Sequence, residues 1–541
     1  MKFFDLLNRV SSRPTIEMSS FDMSHEHKTS LAFGKIAPVF LQEVLPGDKW
    51  HVSTSAFLRT MPLLSPMMHK LDLKVRFFFV PNRLIWHQWE SFISQGRAEV
   101  PGTSSDSSNN LVVPSFVFDG LSGQGNELLK TKYGVRGSLM DYFGFPLPKT
   151  AQDCRVSQLP FRAYNLIIRE YFRNNMLDPT NLYYSQNGVA VYVPFDEMIT
   201  LNDKTIKDKP FLQDMLSVAD LAWENDYFTS ASPTPLAVEQ TVSATSNIDS
   251  NVYSDQVGNT DVNGYKLSSG SILVDGVPRP GTDVQSKSGD GVSVDELRYA
   301  YRLQHFLENG LRYGRRYVEQ LFAHFGVTSS DARLQRPEYL GGGSLAVQVS
   351  EVTSTAGTDD GRLGDLAGRG LAVGGFDDIT FTSEEHGFLI GVAYLSPHAS
   401  YYGGVNRTFL RSERFDFAFP EFADLGQQPI FQSELDITDD YDLDGTRTIF
   451  GYVPRYSEYK QVMDKFSGDM VDTLSFWHLG RDFSNASPVL NDSFVYIDDA
   501  ARVKLNRVFG VTDASKHPFV ATFGFKADAL RPLPFNPQNV L

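Results

Sequence analysis

The sequence predicts a mainly β protein whose strands pair over long distances along the chain. Aromatic residues make up 13% of its 541 residues, with 41 Phe and 23 Tyr, and such residues favour pleated, half-buried surfaces. Hydrophobic residues make up 41% and charged residues 21%, so a sizeable buried core is expected. Strand patterns are scattered along nearly the whole chain, which favours a sandwich of non-local pairings.

The clearest strand pattern covers residues 71–80. Leu71, Leu73 and Val75 alternate there with charged residues, and Pro81 ends the pattern. Similar strand signals lie at residues 188–195, 378–395, 501–511 and 518–525. Each of these segments is therefore predicted to be a strand of the sandwich.

Two stretches between these strands have helical patterning. In residues 160–176 apolar side chains recur at helical spacing, and arginines such as Arg162 occupy the other side. In residues 294–325 a longer apolar stripe follows Ser293 and Glu296, which have capping-box spacing. Both stretches are predicted to be helices.

Three segments depart from this pattern. Residues 229–290 are rich in small polar residues and contain no Phe or Trp, so they are predicted to be either disordered or a surface excursion with its own short strands. Residues 341–375 are predicted to be a Gly-rich loop. Residues 529–541 contain closely spaced prolines, which predict an extended C-terminal arm of the kind that lies across a neighbouring subunit.

Cysteine usage and charge narrow the class of protein. The single cysteine, Cys154, excludes an intrachain disulfide framework, so the fold need not form in an oxidising compartment. Residues 1–13 lack the apolar run of a signal peptide, and we expect neither standard export nor membrane insertion. The net charge of −16 argues against a surface that coats nucleic acid by bulk positive charge, so any DNA contact must come from local patches.

Motifs for catalysis are absent from the sequence. There is no nucleophile elbow, no phosphate-binding loop and no zinc-binding helix motif, so no enzymatic activity is expected. Asp440, Asp442 and Asp444 precede Gly445 in a spacing that suits a structural calcium ion, the one cofactor that the sequence suggests. Gly451 stands where an EF-hand loop needs a bidentate Glu, so a solvated acidic turn is the alternative.

The second helical stretch combines arginines with tyrosines. Its candidate DNA-binding residues are Arg298, Arg302, Arg312, Tyr313, Arg315, Arg316 and Tyr317. Such a mixture can neutralise phosphates and stack unpaired bases, which predicts contact with single-stranded DNA. The alternative is an amphipathic helix whose arginines pair with carboxylates at subunit contacts.

Six blocks, spread over nearly the whole chain outside the two excursions, resemble the major capsid protein of gokushoviruses, a branch of the microviruses. The blocks are residues 43–48 (EVLPGD), 77–86 (FFFVPNRLIW), 159–167 (LPFRAYNLI), 330–342 (SDARLQRPEYLGG), 417–426 (FAFPEFADLG) and 450–460 (FGYVPRYSEYK). The last block departs from the family's pattern at Tyr456, where a Trp is expected. The order of the blocks along the chain also agrees with that family.

The resemblance implies a single capsid protein over residues 1–541, folded as an eight-stranded viral jelly roll with large loop insertions that contain helices and short strands. It implies pentamers that assemble into a T=1 icosahedral virion capsid around circular single-stranded DNA, in the cytoplasm of a bacterial host. Scaffolding and pilot proteins and a small basic DNA-packaging protein are the implied partners. The insertion 229–290 would form a three-fold protrusion that attaches to a host surface receptor such as a glycan.

Two points stay open at the level of the sequence. Aromatic blocks such as residues 417–422 are candidates for subunit interfaces, and buried core is their alternative. A β-rich carbohydrate-binding protein or glycosidase would also be aromatic-rich and acidic. A phage spike or receptor-binding protein, whose assembly stops at a trimer, is a further alternative.

Overall fold

The computed structural model describes most of the two ends of the chain and parts of its middle. The described residues are 17–86, 88–93, 113–118, 136–145, 154–174, 185–186, 189–190, 216–233, 266–268, 271–274, 277–280, 298, 302, 330–331, 335–353, 366–423, 426–437, 447–483, 488–510 and 516–535. The chain divides into two compact units. One unit comprises Met1–Pro233, Thr328–Ala423 and Gln428–Leu541, and the other comprises Thr234–Val327 and Asp424–Gln427.

Strands dominate the described residues. In chain order they begin with β1 Ser19–Asp22, β2 His25–Leu31, β3 Ala37–Val44, β4 Lys49–Thr60, β5 Leu71–Pro81, β6 Ser115–Phe118, β7 Cys154–Ser157, β8 Ser185–Gln186, β9 Val189–Ala190, β10 Lys266–Ser268, β11 Ser271–Val274 and β12 Val277–Pro280. They continue with β13 Glu338–Ala346, β14 Gln348–Thr353, β15 Leu366–Gly375, β16 Ile379–Thr382, β17 Gly387–Pro397, β18 Tyr401–Tyr402, β19 Gln427–Phe431, β20 Ile449–Pro454, β21 Arg481–Asp482 and β22 Phe519–Arg531.

The helices are short and lie between the strands. The α-helices are α1 Asn82–Ile85, α2 Trp89–Ile93, α3 Leu139–Tyr142, α4 Leu159–Ile167, α5 Asp492–Val495 and α6 Asp499–Leu505. A π-helical turn, Ile168–Phe172, continues α4. Single 3₁₀ turns occupy Arg407–Phe409, Arg414–Asp416, Pro420–Phe422, Gln432–Glu434, Ser457–Tyr459, Gly468–Val471, Ser475–Trp477 and Asn506–Val508. Among the described residues, no helix is long and apolar enough to cross a membrane.

The larger sheet has seven strands. Its order is β1-β22-β4-β15-β14, with β2 also paired to β22 and β16 also paired to β4. Along β4 every second side chain is buried, from Trp50 and Val52 to Leu58, and the residues between them are exposed or half-buried. This period of two is typical of a strand with one face on the core and one face in solvent.

The smaller sheet has four strands in the order β13-β5-β17-β3. All eleven residues of β17 are buried, so this strand is covered on both faces. The turn after α4 covers the outer face: the ring of Phe78 in β5 lies 4.8 Å from Tyr171 and 6.1 Å from Phe172, and Phe172 lies 5.4 Å from Tyr394 of β17.

The two sheets form a jelly roll. The larger sheet contains the order β2-β22-β4-β15, and the smaller sheet has the order β3-β17-β5-β13. The chain therefore passes repeatedly from one sheet to the other, as it does in a jelly roll. Large insertions separate β5 from β13 and β17 from β22. The predicted mainly β fold with helix-containing insertions is confirmed. The sheets hold seven and four strands, however, because short strands extend the larger one beyond the predicted pattern of eight.

Aromatic rings join the two sheets. Phe525 of β22 lies 5.0 Å from Phe40 of β3 and 6.4 Å from Phe77 of β5, measured between ring centroids. The ring of His25 stacks 5.4 Å from Phe40. Because these strands come from both ends of the chain, the core forms only when the termini meet.

Several sequence predictions are confirmed. The strand predicted at 71–80 is β5, the signal at 518–525 lies in β22, and the segment 378–395 contains β16 and most of β17. The stretch predicted at 160–176 is helical from Leu159 to Phe172. Within 188–195 only β9 lies among the described residues. Within 229–290 the strands β10, β11 and β12 form a three-stranded sheet, so the segment contains short strands, and its place at the surface stays a prediction.

Four predictions are wrong in detail. The strand predicted at 501–511 is wrong in its described part: α6 and a 3₁₀ turn occupy 499–508, because the Asp498 side chain accepts the Ala501 N–H and caps the helix. The Gly-rich segment 341–375 is not a loop throughout, since parts of β13, β14 and β15 occupy it and pair with longer strands. The predicted arm 529–541 begins inside β22, which runs to Arg531.

The fourth correction concerns Arg162, which was predicted on the polar side of its helix. Its side chain is fully buried. The guanidinium donates to the Ile85 carbonyl (3.0 Å) and to the Gln158 side-chain oxygen (3.0 Å). Helix α4 packs against both α1 and the sheet, so its polar face is enclosed as well.

Candidate assembly surface

The insertion between β17 and β22 carries an unusual concentration of exposed aromatic rings. We call residues 407–423 the aromatic segment; it consists of three 3₁₀ turns linked by extended backbone. Phe409 is 81% exposed, Phe415 57% and Phe417 52%. No residue of the segment is fully buried. Phenylalanines this exposed are unusual on a protein that stays monomeric.

Arginines hold these rings in place. The Arg411 guanidinium lies over Phe417 (5.6 Å) and over Tyr459 (4.5 Å). Arg414 lies 5.9 Å from both Phe415 and Phe419. Cation–π contacts of this kind contribute about 0.5–1 kcal/mol each at exposed sites, so the rings are partly ordered before any partner arrives.

A buried polar network anchors the start of the segment. Arg407 contacts the carboxylates of Glu434 (3.1 Å) and Glu458 (3.6 Å). The Tyr227 hydroxyl donates to Glu434 (3.0 Å), and burial raises the pKa of that carboxyl. Arg411 reaches Glu458 from the other side (3.4 Å). The network ties the segment to a part of the chain about two hundred residues earlier.

The middle of the segment is fixed by its own backbone. The N–H groups of Ser412 and Glu413 both donate to the Asp416 carboxylate at 2.8 Å. These hydrogen bonds lower the pKa of Asp416, because they stabilise the charged form. The carboxylate therefore closes a tight turn that presents Phe415 and Phe417 outwards.

The arrangement suits binding of another protein chain. Interfaces are enriched in Phe, Tyr and Arg, and their strongest contacts are aromatic anchors that fill pockets on the partner. A cleft of about 610 Å³ beside the segment is lined by Tyr402, Arg407, Phe409 and Phe466, among others, and can receive such side chains. For residues 417–422 the structure decides between core and surface: Phe417 is exposed, and Phe419 and Phe422 are half-buried.

Most of the residues predicted to bind DNA or metal lie outside the described residues. Arg298 and Arg302 are described, and both are helical and exposed, while their contact with DNA stays a prediction. The others are Arg312, Tyr313, Arg315, Arg316, Tyr317, Asp440, Asp442 and Asp444. Within the part of the chain that the structure describes, no group of three or more His, Cys, Asp or Glu side chains could hold a metal ion.

Sequence reasoning missed the arginines and the first two phenylalanines of the aromatic segment. Their signal was present, since Arg and Phe follow one another closely from Arg407 to Phe422. Phenylalanine at every second position from Phe415 to Phe419 resembles a strand with a buried face, whereas the structure has 3₁₀ turns there. The spacing of these residues does not predict their exposure, and their exposure decides whether the rings belong to the core or to a binding surface.

A jelly roll with long insertions and an exposed, ordered aromatic surface is typical of structural proteins that assemble through such surfaces, among which are viral coats. Comparison with known proteins gives the family. The family described as "Capsid protein (F protein)" matches residues 10–541, and the chain belongs to it.

Three relatives extend over nearly the same length. The chain is 32% identical to capsid protein VP1 of Chlamydia phage 1, covering 97% of this chain and 96% of the relative. It is 30% identical to capsid protein VP1 of Bdellovibrio phage phiMH2K, with 95% and 94% covered. Capsid protein VP1 of Spiroplasma virus 4 is 25% identical, with 88% of each chain covered. The resemblance to the gokushovirus major capsid protein is thus confirmed at the level of the family.

Membership of this family settles the broad role. The chain is a structural protein of the virion capsid and not an enzyme. It self-assembles into a shell, so its principal partners are further copies of itself. The carbohydrate-binding, glycosidase and spike alternatives have no support from these matches.

Proposed function

We propose that copies of this chain form pentamers and then a T=1 icosahedral shell that encloses circular single-stranded DNA, in the cytoplasm of a bacterial host. The aromatic segment carries this proposal. Phe409, Phe415 and Phe417 are exposed, arginines lie over Phe415 and Phe417, and a buried network anchors the start of the segment at Arg407, as is expected of an interface. In a closed shell every such surface is covered by the next copy.

Charge supports a basic partner inside the shell. The chain has 65 acidic and 49 basic side chains, so its overall field repels nucleic acid. A small basic DNA-packaging protein would neutralise phosphates that the shell does not. Scaffolding and pilot proteins are the further proposed partners during assembly.

The insertion 229–290 is proposed to form the three-fold protrusion and to attach to a host surface receptor such as a glycan. Its composition differs from the rest of the chain, since it contains no Phe or Trp. The second compact unit begins at Thr234, close to the start of this insertion. A separate unit can vary without disturbing the jelly roll, as a receptor-binding element must.

The arginine and tyrosine stretch around Arg315 and Arg316 is proposed to contact single-stranded DNA, with carboxylate pairing at subunit contacts as the alternative. Changing both arginines to Ala should weaken salt-sensitive DNA retention by particles, because each phosphate contact adds to the salt dependence. Unchanged retention at every salt concentration would favour the subunit-contact alternative.

The acidic turn of Asp440, Asp442 and Asp444 is proposed to bind one calcium ion. Titration calorimetry of the wild-type chain against a variant with all three changed to Asn tests this directly. Heat of binding in the wild type alone supports the ion. Absence of heat in both leaves a solvated acidic turn.

The particle state of the purified chain tests the shell. Light scattering and electron microscopy are carried out with and without the companion phage proteins and circular single-stranded DNA. We expect pentamers alone, and closed particles that protect DNA from nuclease once the companions are present. A monomer or trimer that never closes would contradict the proposal.

Variants of the aromatic segment test which surface closes the shell. Phe409→Ser combined with Phe417→Ser removes two exposed rings, so the free energy of unfolding of the subunit should fall by no more than about 1 kcal/mol, the contact of Phe417 with Arg411. Particle yield should fall at least tenfold, on the order of 1.4 kcal/mol for the two lost contacts together. Val503→Ser, which alters a side chain 45% exposed on α6, is the matched control and should assemble normally. Equal yields from all three proteins would exclude the aromatic segment from the interface.

A further inference from the structure

The two sheets of the jelly roll differ in how their outer faces are covered. Strand β17 of the smaller sheet is buried at every position. Strand β4 of the larger sheet alternates strictly and leaves its outward side chains exposed or half-buried. The outer face of the larger sheet is therefore an available binding surface.

The centre of this open face is apolar. Phe57 of β4 is 38% exposed, Leu371 and Val373 of β15 are 40% and 59% exposed, and Val520 of β22 is 48% exposed. The strand register makes them neighbours: Arg59 pairs with both Leu371 and Val520, and Phe57 pairs with Val373. We call Phe57, Arg59, Leu371, Val373, Val520 and Thr522 the platform.

The charged side chains on and beside the platform are positive. The Arg59 guanidinium lies over the Phe57 ring at 4.9 Å, and Arg369 is exposed two residues before Leu371 on the same face of β15. A row is the set of residues that pair with one another across neighbouring strands of the sheet. The row that contains Phe57 and the row that contains Arg59 include no carboxylate. In the next row Glu26 is the only carboxylate among the described residues, and Lys28 neutralises it at 3.2 Å.

These features together fit unpaired nucleobases. A sheet face with an exposed aromatic ring lets bases stack, and a guanidinium above the ring both extends the stack and contacts phosphate. The positive charge of Arg59 and Arg369 is complementary to a polyanion, and the Phe57 ring beside Arg59 favours a polyanion with exposed π-faces. A second, acidic copy of the chain would also meet these arginines, and it is one of the outcomes that the test distinguishes.

We propose that the platform binds single-stranded DNA, with bases stacked on Phe57 and Arg59 and phosphates held by Arg59 and Arg369. This inference rests on the proposed enclosure of a single-stranded genome and names the surface that would face it. It places DNA contact on the sheet of the jelly roll, through residues of β4, β15 and β22.

The test uses unassembled full-length subunits and a fluorescent 20-nucleotide oligothymidine, with binding followed by anisotropy over a range of salt concentrations. Phe57→Ser should weaken binding by about fivefold or more, since stacking on one aromatic ring is worth that factor at least. Phe57→Tyr should restore it. A duplex of equal length should not respond to either change, because its bases are not free to stack.

The arginines are tested through the salt dependence. Arg59→Ala with Arg369→Ala should reduce the slope of log affinity against log salt by about 1.4, which is two phosphate contacts for a single strand. Arg59→Lys should keep the slope and lose part of the affinity, because it retains charge without a planar group. Val503→Ser, on α6, is the control and should bind as the wild type does.

Three outcomes would overturn the inference. Wild-type subunits without measurable affinity for the oligonucleotide would do so, as would platform variants that bind it unchanged. Platform variants with normal DNA affinity but failed assembly would show that the face contacts protein instead. These results are separate from the particle-state experiment: wild-type shells with an inert platform refute this inference alone, whereas absence of any wild-type shell refutes the proposed function.

Discussion

Three arginines are buried among the residues that the structure describes, and each is held by a different kind of partner. Arg162 donates to a backbone carbonyl and an amide oxygen. Arg481 lies 4.3 Å from the Phe494 ring and 4.7 Å from Trp223, and donates to the Phe494 carbonyl (2.6 Å). Such residues join distant segments, because a buried guanidinium must find several acceptors at once.

Arg502, the third of them, gives a prediction for stability. Its guanidinium contacts the Asp220 carboxylate (2.6 Å) and the Ile497 carbonyl (2.6 Å). Arg502→Met keeps most of the apolar stem but removes these bonds, so we expect a loss of about 2–3 kcal/mol in the free energy of unfolding. Lys35 remains 2.7 Å from Asp220 and limits the loss. Denaturant unfolding measures it, and an unchanged midpoint would contradict the structure.

His478 gives a prediction for pH dependence. Its Nε2 lies 2.8 Å from the Met470 carbonyl and its Nδ1 accepts the Gly480 N–H (3.0 Å), which requires the neutral ring. Burial, with a contribution from Arg507, lowers the pKa of His478 below its ordinary value. The unfolded chain then binds this proton at higher pH than the folded chain. The stabilisation is present above about pH 6.5 and is lost as the pH falls through the lowered pKa.

Thermal unfolding between about pH 7.5 and 5.5 checks this expectation. The wild type should lose more stability on acidification than His478→Gln, which keeps an N–H donor but cannot titrate. Burial also lowers the pKa of His69 and His517, so some acid sensitivity should persist in the variant. Parallel pH profiles for the two proteins would show that His478 does not contribute.

At the scale of elements, the glycines of β13 allow a bulge against β5. The register shifts between Tyr339 and Gly341, and Gly342 has φ +145°. A Cβ on Gly342 would lie 2.1 Å from the Val75 carbonyl oxygen. The bulge lets the edge strand follow the curvature of the sheet.

Gly342→Ala should therefore destabilise the subunit by about 3 kcal/mol, from backbone strain and the collision with β5. Gly510→Ala is the matched control: a Cβ there meets only Leu64 Cδ2, at 3.9 Å, so its effect should stay below about 1 kcal/mol. Equal unfolding midpoints for the two variants would mean that the bulge tolerates a side chain.

At the scale of the whole molecule, the C-terminal residues pack on their own jelly roll and are proposed to reach a neighbouring subunit. Arg531 donates to the Glu43 carbonyl (2.7 Å) and lies over Trp50 at 4.9 Å, and the Phe535 ring stacks on Phe21 at 6.0 Å. This part of the predicted arm is bound to its own jelly roll. Only residues 536–541 lie beyond the described residues of the C-terminus.

Two truncations separate these roles. Ending the chain after Phe535 should leave subunit stability unchanged and reduce particle yield, if the last residues reach a neighbour as arms do. Ending it after Asp528 also removes the end of β22, which pairs with β1 and β4, so stability should fall as well. Sedimentation measures the particle yield, and thermal unfolding measures the subunit stability. Full particle yield from the chain that ends after Phe535 would show that residues 536–541 do not bind a neighbouring subunit.

The sequence alone determined the mainly β class and the family. Alternation, aromatic content and long characteristic blocks are local properties, so they can be recognised in short segments without knowledge of the fold. It also located the strand at β5 and the helix that begins near Leu159. These elements agree with prediction because their own residues specify both their period and their buried face.

Tertiary structure decided what depends on residues far away in the chain. The pairing of β2 with β22 joins segments about five hundred residues apart, and no local pattern contains it. Arg162 is buried because α1 and the sheet enclose its helix, and Phe417 is 52% exposed because its described neighbours cover only part of its ring. Burial is a property of the neighbours that a side chain meets, so the assembly surface emerged only once the chain was folded.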